Sequence, residues 1–225
     1  MIRVFIGYDK REQSAYHVLN HSILKYSTLP VSTTPLKLEN LKNVFTRERV
    51  PNQSTDFAFS RFCVPHLCDY KGWALFVDCD QLFRTDITEL WSLRDPKYAV
   101  QVCKHDYTPK TTKKFLGAIQ EPYLKKNWSS VMLFNCEKCT ALTPDYVNSA
   151  TGLQLHQFKW LDNDELIGDI PLEWNWLVGE YEYNEKAKNV HYTLGGPYFK
   201  KYRACDYAKD WYTEYSESTE INLEE

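Results

Sequence analysis

Two aspartates separated by one residue, Asp78 and Asp80, follow directly on the apolar run Ala74-Leu75-Phe76-Val77. Such a run, entered through Gly72, predicts a short buried strand over residues 73–77. In open α/β sheets, ligands bind beyond the carboxyl ends of the strands. Two carboxylates placed there repel each other unless a cation or hydrogen-bond donors stand between them. A divalent metal meets that need, and diphosphate oxygens complete its coordination shell. The competing reading is a pair of aspartates that cap a turn or helix after the strand.

A second chemical element lies near the C-terminus, in Val190-His191-Tyr192-Thr193-Leu194-Gly195-Gly196-Pro197. His191 ends a short apolar and aromatic run, and a neutral imidazole can serve as a third metal ligand. Gly195 and Gly196 allow backbone N–H groups to approach a phosphate closely. Alone, the histidine reads as structural and the glycines as a turn. Alongside Asp78 and Asp80, the metal and phosphate reading gains weight. Further polar candidates for holding a hydroxyl-rich ligand are Asn127, Asp162, Asn163 and Asp164. Asp162 and Asp164 serve equally well as caps for a short helix over 165–167. Trp128, Trp174 and Trp176 can stack on sugar faces or simply fill the core.

Elements to position these groups are legible along the chain. Residues 3–7 predict a buried opening strand. Asp9 and Glu12 are spaced as a capping box, beginning a helix that runs to about residue 27 with Ala15, Val18, Leu19 and Ile23 on one face. A second strand is expected near 31–38, weakened by Pro35. Residues 57–70 read as a helix kinked at Pro65. Further strands are expected over 98–102 and 131–134, and the alternation predicts an α/β sheet with parallel members. Residues 104–127 form a basic, irregular stretch carrying Lys110, Lys113, Lys114, Lys125 and Lys126, either a functional excursion or a solvated loop. The division expected is one domain over 1–207 and an acidic, flexible tail over 208–225.

Composition narrows the classes. The 225 residues are 43% hydrophobic and 25% charged, an ordinary globular mixture able to bury a core. A net charge of −3 argues against a general nucleic-acid binder. Seven cysteines at irregular spacing argue against a disulfide framework. The single pair Cys136 and Cys139 lacks the second pair that a four-thiolate zinc site needs, so two buried thiols are expected. No run approaches the ~20 apolar residues of a membrane helix. The N-terminal residues lack a signal-peptide pattern, so a cytoplasmic protein is expected, with peripheral membrane contact left open.

Taken together, these elements resemble the GT-A glycosyltransferases, especially the retaining family-eight group of glycogenin-like and lipopolysaccharide galactosyltransferase-like enzymes. The resemblance covers roughly residues 2–198 and is that of a divergent branch of the bacterial and phage type. It implies a Rossmann-like, mixed but mostly parallel sheet flanked by helices. It further implies that Gly7, Tyr8 and Asp9 hold the nucleotide base and that Arg61 helps bind the donor. By the same resemblance, Asp78, Asp80 and His191 bind manganese or magnesium, and Asn127 and Ser129 line the donor-sugar pocket. Asp162-Asn163-Asp164 resembles the segment that flanks the reacting sugar, with Asn163 in place of the family's glutamine, and Glu173-Trp174-Asn175-Trp176 resembles a segment that follows it. One departure is clear: Gly196 and Pro197 stand where the family carries a diphosphate-contacting lysine, and Lys200 and Lys201 are the neighbouring substitutes.

The function implied is transfer of a hexose from a UDP-sugar to a hydroxyl on a glycan, a lipid-linked sugar or another acceptor, with retention. Two other readings stay open. A nucleotide-sugar-forming nucleotidyltransferase would need a glycine-rich phosphate loop after the first strand, where this chain has only Gly7. A noncatalytic carbohydrate- or nucleotide-binding protein would keep the fold without needing the Asp78, Asp80 and His191 set. A two-metal nuclease is more remote, since it would need further carboxylates and a basic surface.

Overall fold

The computed structural model describes residues 1–50, 53–117 and 122–220. Its centre is a six-stranded sheet. Strand β1 (Ile2–Gly7) pairs in parallel with β2 (Val31–Leu36) on one side and β3 (Trp73–Val77) on the other. Helix α1 (Gln13–Tyr26) makes the crossover between β1 and β2, burying Ala15, Val18, Leu19, Ser22 and Ile23. On the far side of β3 lie β5 (Val100–Val102), β6 (Val131–Asn135) and β7 (Ile167–Asp169), and the order across the sheet is β2-β1-β3-β6-β5-β7. Only β6 runs against its neighbours. The sheet is therefore mixed and mostly parallel, as the resemblance implied. With both faces covered, the central strands are continuously apolar: Ala74 to Val77 and Val131 to Phe134 are fully buried. Pro35 sits in β2 at the sheet edge, where a missing N–H breaks no inner ladder.

A second, three-stranded sheet completes the frame. It consists of β4 (Gln81–Phe83), β9 (Asn189–His191) and β8 (Trp176–Leu177), in the order β4-β9-β8. The chain passes from β3 into β4 through Asp78, Cys79 and Asp80 alone. The remaining helices are α2 (Val64–Leu67), α3 (Ile87–Ser92), α4 (Pro144–Ser149), α5 (Gly152–His156) and α6 (Ala208–Ser218). No described helix is long and apolar enough to cross a membrane.

Several local expectations are corrected. Asp9 caps a 3-10 turn over Lys10–Glu12 by accepting from the Arg11 N–H, but Glu12 does not close the box. Its side chain turns inward and accepts from the Tyr198 hydroxyl at 2.8 Å. The single kinked helix over 57–70 is replaced by a 3-10 turn over Ser60–Cys63 that runs into α2. Pro65 lies in the first turn of α2, where its missing N–H costs nothing. Asn163, rather than Asp162 or Asp164, caps a 3-10 turn over Asp164–Leu166. The expected tail is in large part α6. Its Trp211 and Glu214 are buried, and Glu214 accepts from the Tyr26 hydroxyl at 2.9 Å and from Lys25 at 2.8 Å. The expectation of a flexible end over 221–225, and the segment 118–121 of the basic stretch, lie outside the described residues. All seven cysteines are free, and six are buried.

Gly7 ends β1 beneath the ring of Phe57: a Cβ there would stand 2.4 Å from the ring. Phe57 is itself fully buried, so the ring has little room to yield. Gly7→Ala is expected to cost about 1–3 kcal/mol by overpacking, read as a fall in urea midpoint. A change below ~0.5 kcal/mol, the range of ordinary surface substitutions, would contradict this packing role.

Candidate metal and donor site

The turn between β3 and β4 is held in place by its backbone. Asp78 N–H donates to Ser130 O at 3.0 Å, and the Gln81 side chain donates to the same oxygen at 2.9 Å. Antiparallel pairing of β4 with β9 then sets His191 opposite Gln81, and the Tyr192 N–H donates to Asp80 O at 2.9 Å. The second sheet thus delivers the histidine to the two carboxylates. Ligand atoms of Asp78, Asp80 and His191 lie within 4.8 Å of one another, and all three residues are buried or nearly so. His191 Nε2 stands 3.3 Å from Asp80 Oδ1.

Charge at this turn is incompletely matched. Arg61 makes an ion-pair contact with Asp78, Nη1 to Oδ1 at 2.7 Å. Yet Asp78 Oδ1 and Asp80 Oδ1 are both buried without a hydrogen bond of proper geometry. Burial pushes the Asp78 carboxyl up to about 6, with the Arg61 charge only partly offsetting it and that of Asp80 adding to the rise. For Asp80 the burial cost is outweighed by the attraction of His191 and, behind it, Lys114, so its carboxyl lies below the usual value. Buried carboxylate oxygens that make no hydrogen bond of proper geometry, beside an imidazole, fit a divalent cation.

The histidine is oriented by a residue to which sequence reasoning assigned no role. Asn175 is fully buried, and its Oδ1 lies 3.0 Å from His191 Nδ1. The amide orientation follows from its other contacts. Ser130 Oγ donates its one proton to Asn127 O at 2.6 Å, so it must accept from Asn175 Nδ2, at 2.8 Å. Asn175 Oδ1 is therefore the acceptor, His191 donates to it from Nδ1, and Nε2 is the ring nitrogen that faces the carboxylates. That is the arrangement in which an outer partner fixes the tautomer of a metal-ligating histidine. An asparagine between two tryptophans was the available signal, since a buried amide must find partners.

Other sequence candidates fall at varying distances from this centre. Arg61 lies between the rings of Phe57 and Phe76 and donates to Ser129 O at 2.8 Å. Ser129 Oγ meets His156 Nδ1 at 2.7 Å. Asn127 adopts the left-handed conformation at φ 62°, which Asn tolerates. Its O accepts weakly from Asn175 at 3.3 Å, which joins it to the His191 network. Gly195 has φ 125°, where glycine is favoured, and its N–H donates to Tyr192 O at 2.7 Å. Gly196 packs against the Tyr198 ring, where a Cβ would come within 2.4 Å.

At the other end of the site, Asp9 is fully buried and both its oxygens are engaged, by Arg11 and by the Asp56 N–H at 3.1 Å. It serves as a clamp on its loop. Tyr8 is half-buried, edge-on to Tyr16 at 5.4 Å. Asp162, Asn163 and Asp164 are exposed; Asp164 pairs with Lys125 at 2.6 Å, and no described contact joins the three to the metal group. Trp174 fills the core, while Trp128 and Trp176 are half-buried. Lys200 and Lys201 are exposed. Lys114 approaches the segment that follows His191, its Nζ donating to Thr193 Oγ1 at 3.1 Å.

No protein-family model matches the chain. Protein CDI of Arabidopsis thaliana is 49% identical over 232 residues, which cover 99% of this chain and 89% of that protein. Among solved structures, the galactosyltransferase LgtC in complex with donor and acceptor sugar analogues superposes with a TM-score of 0.60 at 11% identity, covering 99% of this chain and 98% of its own. The bifunctional glycosyltransferase WbbM gives 0.61 at 16% identity over 96% of this chain, and GlyE of Streptococcus pneumoniae TIGR4 gives 0.61 at 12% over 96%. This chain spans 49% of the WbbM chain and 61% of the GlyE chain. At these identities the likeness is one of fold. The chain belongs to the same family as Protein CDI of Arabidopsis thaliana, and its fold is the GT-A fold of the nucleotide-diphospho-sugar glycosyltransferases.

Proposed function

We propose that this protein is a metal-dependent glycosyltransferase that moves a hexose from a UDP-sugar to a hydroxyl acceptor with retention. One observation carries the reading: two buried carboxylates and an oriented imidazole converge at the end of a central strand, with two carboxylate oxygens that make no hydrogen bond of proper geometry. Neighbouring structures of the same fold are glycosyltransferases, and that supports the choice of reaction.

Asp78 Oδ1, Asp80 Oδ1 and His191 Nε2 would hold the ion, and two oxygens with one nitrogen suit manganese slightly better than magnesium. When bound, the ion supplies positive charge to the departing diphosphate. Asn175 keeps His191 Nε2 aimed at the site. Arg61 tempers the charge of Asp78, and Asn127 holds its strained corner beside the donor pocket. Gly7 and Tyr8 would border the base, with Asp9 clamping the loop that carries them. Gly195 and Gly196 would shape the wall beside the diphosphate, and Ser129 fixes Arg61 through its carbonyl. Asp162, Asn163 and Asp164 form the proposed sugar-facing turn, tied to the Asn127 end through the Lys125 ion pair. The acceptor is a glycan, a lipid-linked sugar or another hydroxyl compound.

Binding is the direct test. UDP or a UDP-sugar with manganese, at a hundredfold excess over Kd, should add about 2.7 kcal/mol to stability, a Tm rise of about 5–10 °C for a chain this size. Asp80→Ala should abolish the manganese-dependent part. No shift with any nucleotide would refute the reading.

Protonation supplies a second test. The Asp78 carboxyl must lose its proton to bind the ion. Below about 6, manganese affinity should fall by up to tenfold per pH unit. Its folded-state value lies above the unfolded one, so in the metal-free protein this group lowers stability as pH rises from about 4 to about 6. The stabilisation by manganese should therefore grow across that interval. Titration calorimetry at pH 5 and pH 7 giving equal affinities would contradict this.

A further inference from the structure

Lys114 comes from the connection between β5 and β6, in the basic stretch over 104–127. Among the other lysines of that stretch, Lys113 is exposed, Lys110 approaches the exposed Glu182 at 3.9 Å, Lys125 is committed to Asp164, and Lys126 is buried over the Tyr123 ring. Lys114 is the one whose amine is bonded to the segment that follows His191, at Thr193. Thr193 is 1% exposed and follows His191 by two residues on a segment still paired to Asp80 through Tyr192. Thr193 lies in the turn that follows β9, and its Oγ1 also stands 3.5 Å from Asn127 Nδ2, so the amine meets the same Asn127–Asn175 network that orients His191. Burial holds the Lys114 amine below its usual value, and Asp80 followed by Asp78 are the leading charges that offset this.

The loop that carries Lys114 is anchored on both flanks. His105 Nδ1 meets the Tyr181 hydroxyl at 2.8 Å, and the Trp128 indole donates to His105 O at 2.8 Å. The Tyr107 hydroxyl accepts from Asn127 Nδ2 at 2.7 Å, and the Lys110 N–H donates to Glu180 Oε2 at 2.9 Å. These contacts fix the two ends of the connection, and the long, rotatable stem of Lys114 gives its amine reach.

Charge balance distinguishes a metal-free state from a loaded one. Asp78 and Asp80 carry two negative charges against the one of Arg61, and the ammonium of Lys114 balances the remainder. A divalent ion held by Asp78, Asp80 and His191 would reverse the local sign and repel the ammonium. A nucleoside diphosphate on that ion then offers it anionic oxygens.

We propose that Lys114 is a tethered counter-ion of the Asp78–Asp80 pair in the metal-free protein and becomes a binding group for the donor diphosphate once the ion is in place. This inference rests on the glycosyltransferase reading of the same site. It makes the connection between β5 and β6, rather than the lysines after Gly196, the source of the diphosphate-binding cation.

The two roles have opposite signs in binding, which separates them from a structural role. Calorimetric titration of wild type, Lys114→Met and Lys114→Arg with manganese alone, then with UDP at saturating manganese, reads both. Lys114→Met should bind manganese alone more tightly, because a competing cation is gone. It should bind UDP at least about tenfold more weakly, the loss expected for a hydrogen bond to a charged group. Lys114→Arg should restore most of the UDP affinity. Thr193→Val, which removes the tether and keeps the charge, should tighten manganese binding and leave UDP binding near wild type. Urea midpoints of the variants confirm folding. Parallel weakening of both ligands in Lys114→Met, or no change in either, overturns the assignment. If the wild type takes manganese but no UDP, the glycosyltransferase reading falls. If it binds UDP and Lys114→Met binds it equally well, the lysine assignment falls and that reading stands.

Discussion

The burial of two carboxylates at the end of β3 governs the rest of the structure. Removing a charge from water is costly, and a single buried guanidinium does not offset that cost for two acids. The fold leaves the imbalance in place rather than relieving it with hydrogen bonds: Asp78 Oδ1 and Asp80 Oδ1 have no donors of proper geometry. Buried polar atoms without a hydrogen bond are exceptions that call for an explanation, and a bound cation would supply one. The surrounding elements are arranged to hold the two acids where they are.

That holding is done chiefly from behind. Ser130 O anchors the turn through Asp78 N–H and Gln81, and Ser130 Oγ sets the amide of Asn175. Asn175 in turn sets His191. One residue at the start of β6, the strand that runs against its neighbours, therefore ties both carboxylates and the imidazole to the central sheet. The short second sheet exists to bring β9 beside β4. Helix α6 and α1 close the structure behind that sheet, with Trp211 and Val18 in one small apolar cluster with Leu82 of β4 and Val190 of β9.

What could be read from the sequence follows from where the physics is local. The β3 strand and its two aspartates were legible because a continuous apolar run has to be buried, and acids at its end then need a cation or donors close by. His191 was legible through the run it ends and the glycines after it. Asn175 was not, because its meaning lies in contacts with Ser130 and His191, 45 and 16 residues away. Lys114 was not, because several lysines share its stretch and only the tertiary fold selects one. Helix α6 was hidden by polar composition: Ala208, Trp211 and Glu214 make a narrow buried stripe, and the burial of that glutamate is compensated by Lys25, His21 and Tyr26 on another helix. The helix over 57–70 failed in a different way, since Pro65 acts as a start rather than a kink.

The central claim is that Asp78, Asp80 and His191 form one metal site to which a nucleoside diphosphate adds its phosphates. Pulsed electron paramagnetic resonance of the manganese-loaded protein reads both halves at once. The expected spectrum shows coupling to a single imidazole nitrogen, lost in His191→Ala, and gains phosphorus coupling when UDP is added. Manganese held without nitrogen coupling, or nitrogen coupling that never acquires a phosphorus partner, would contradict it.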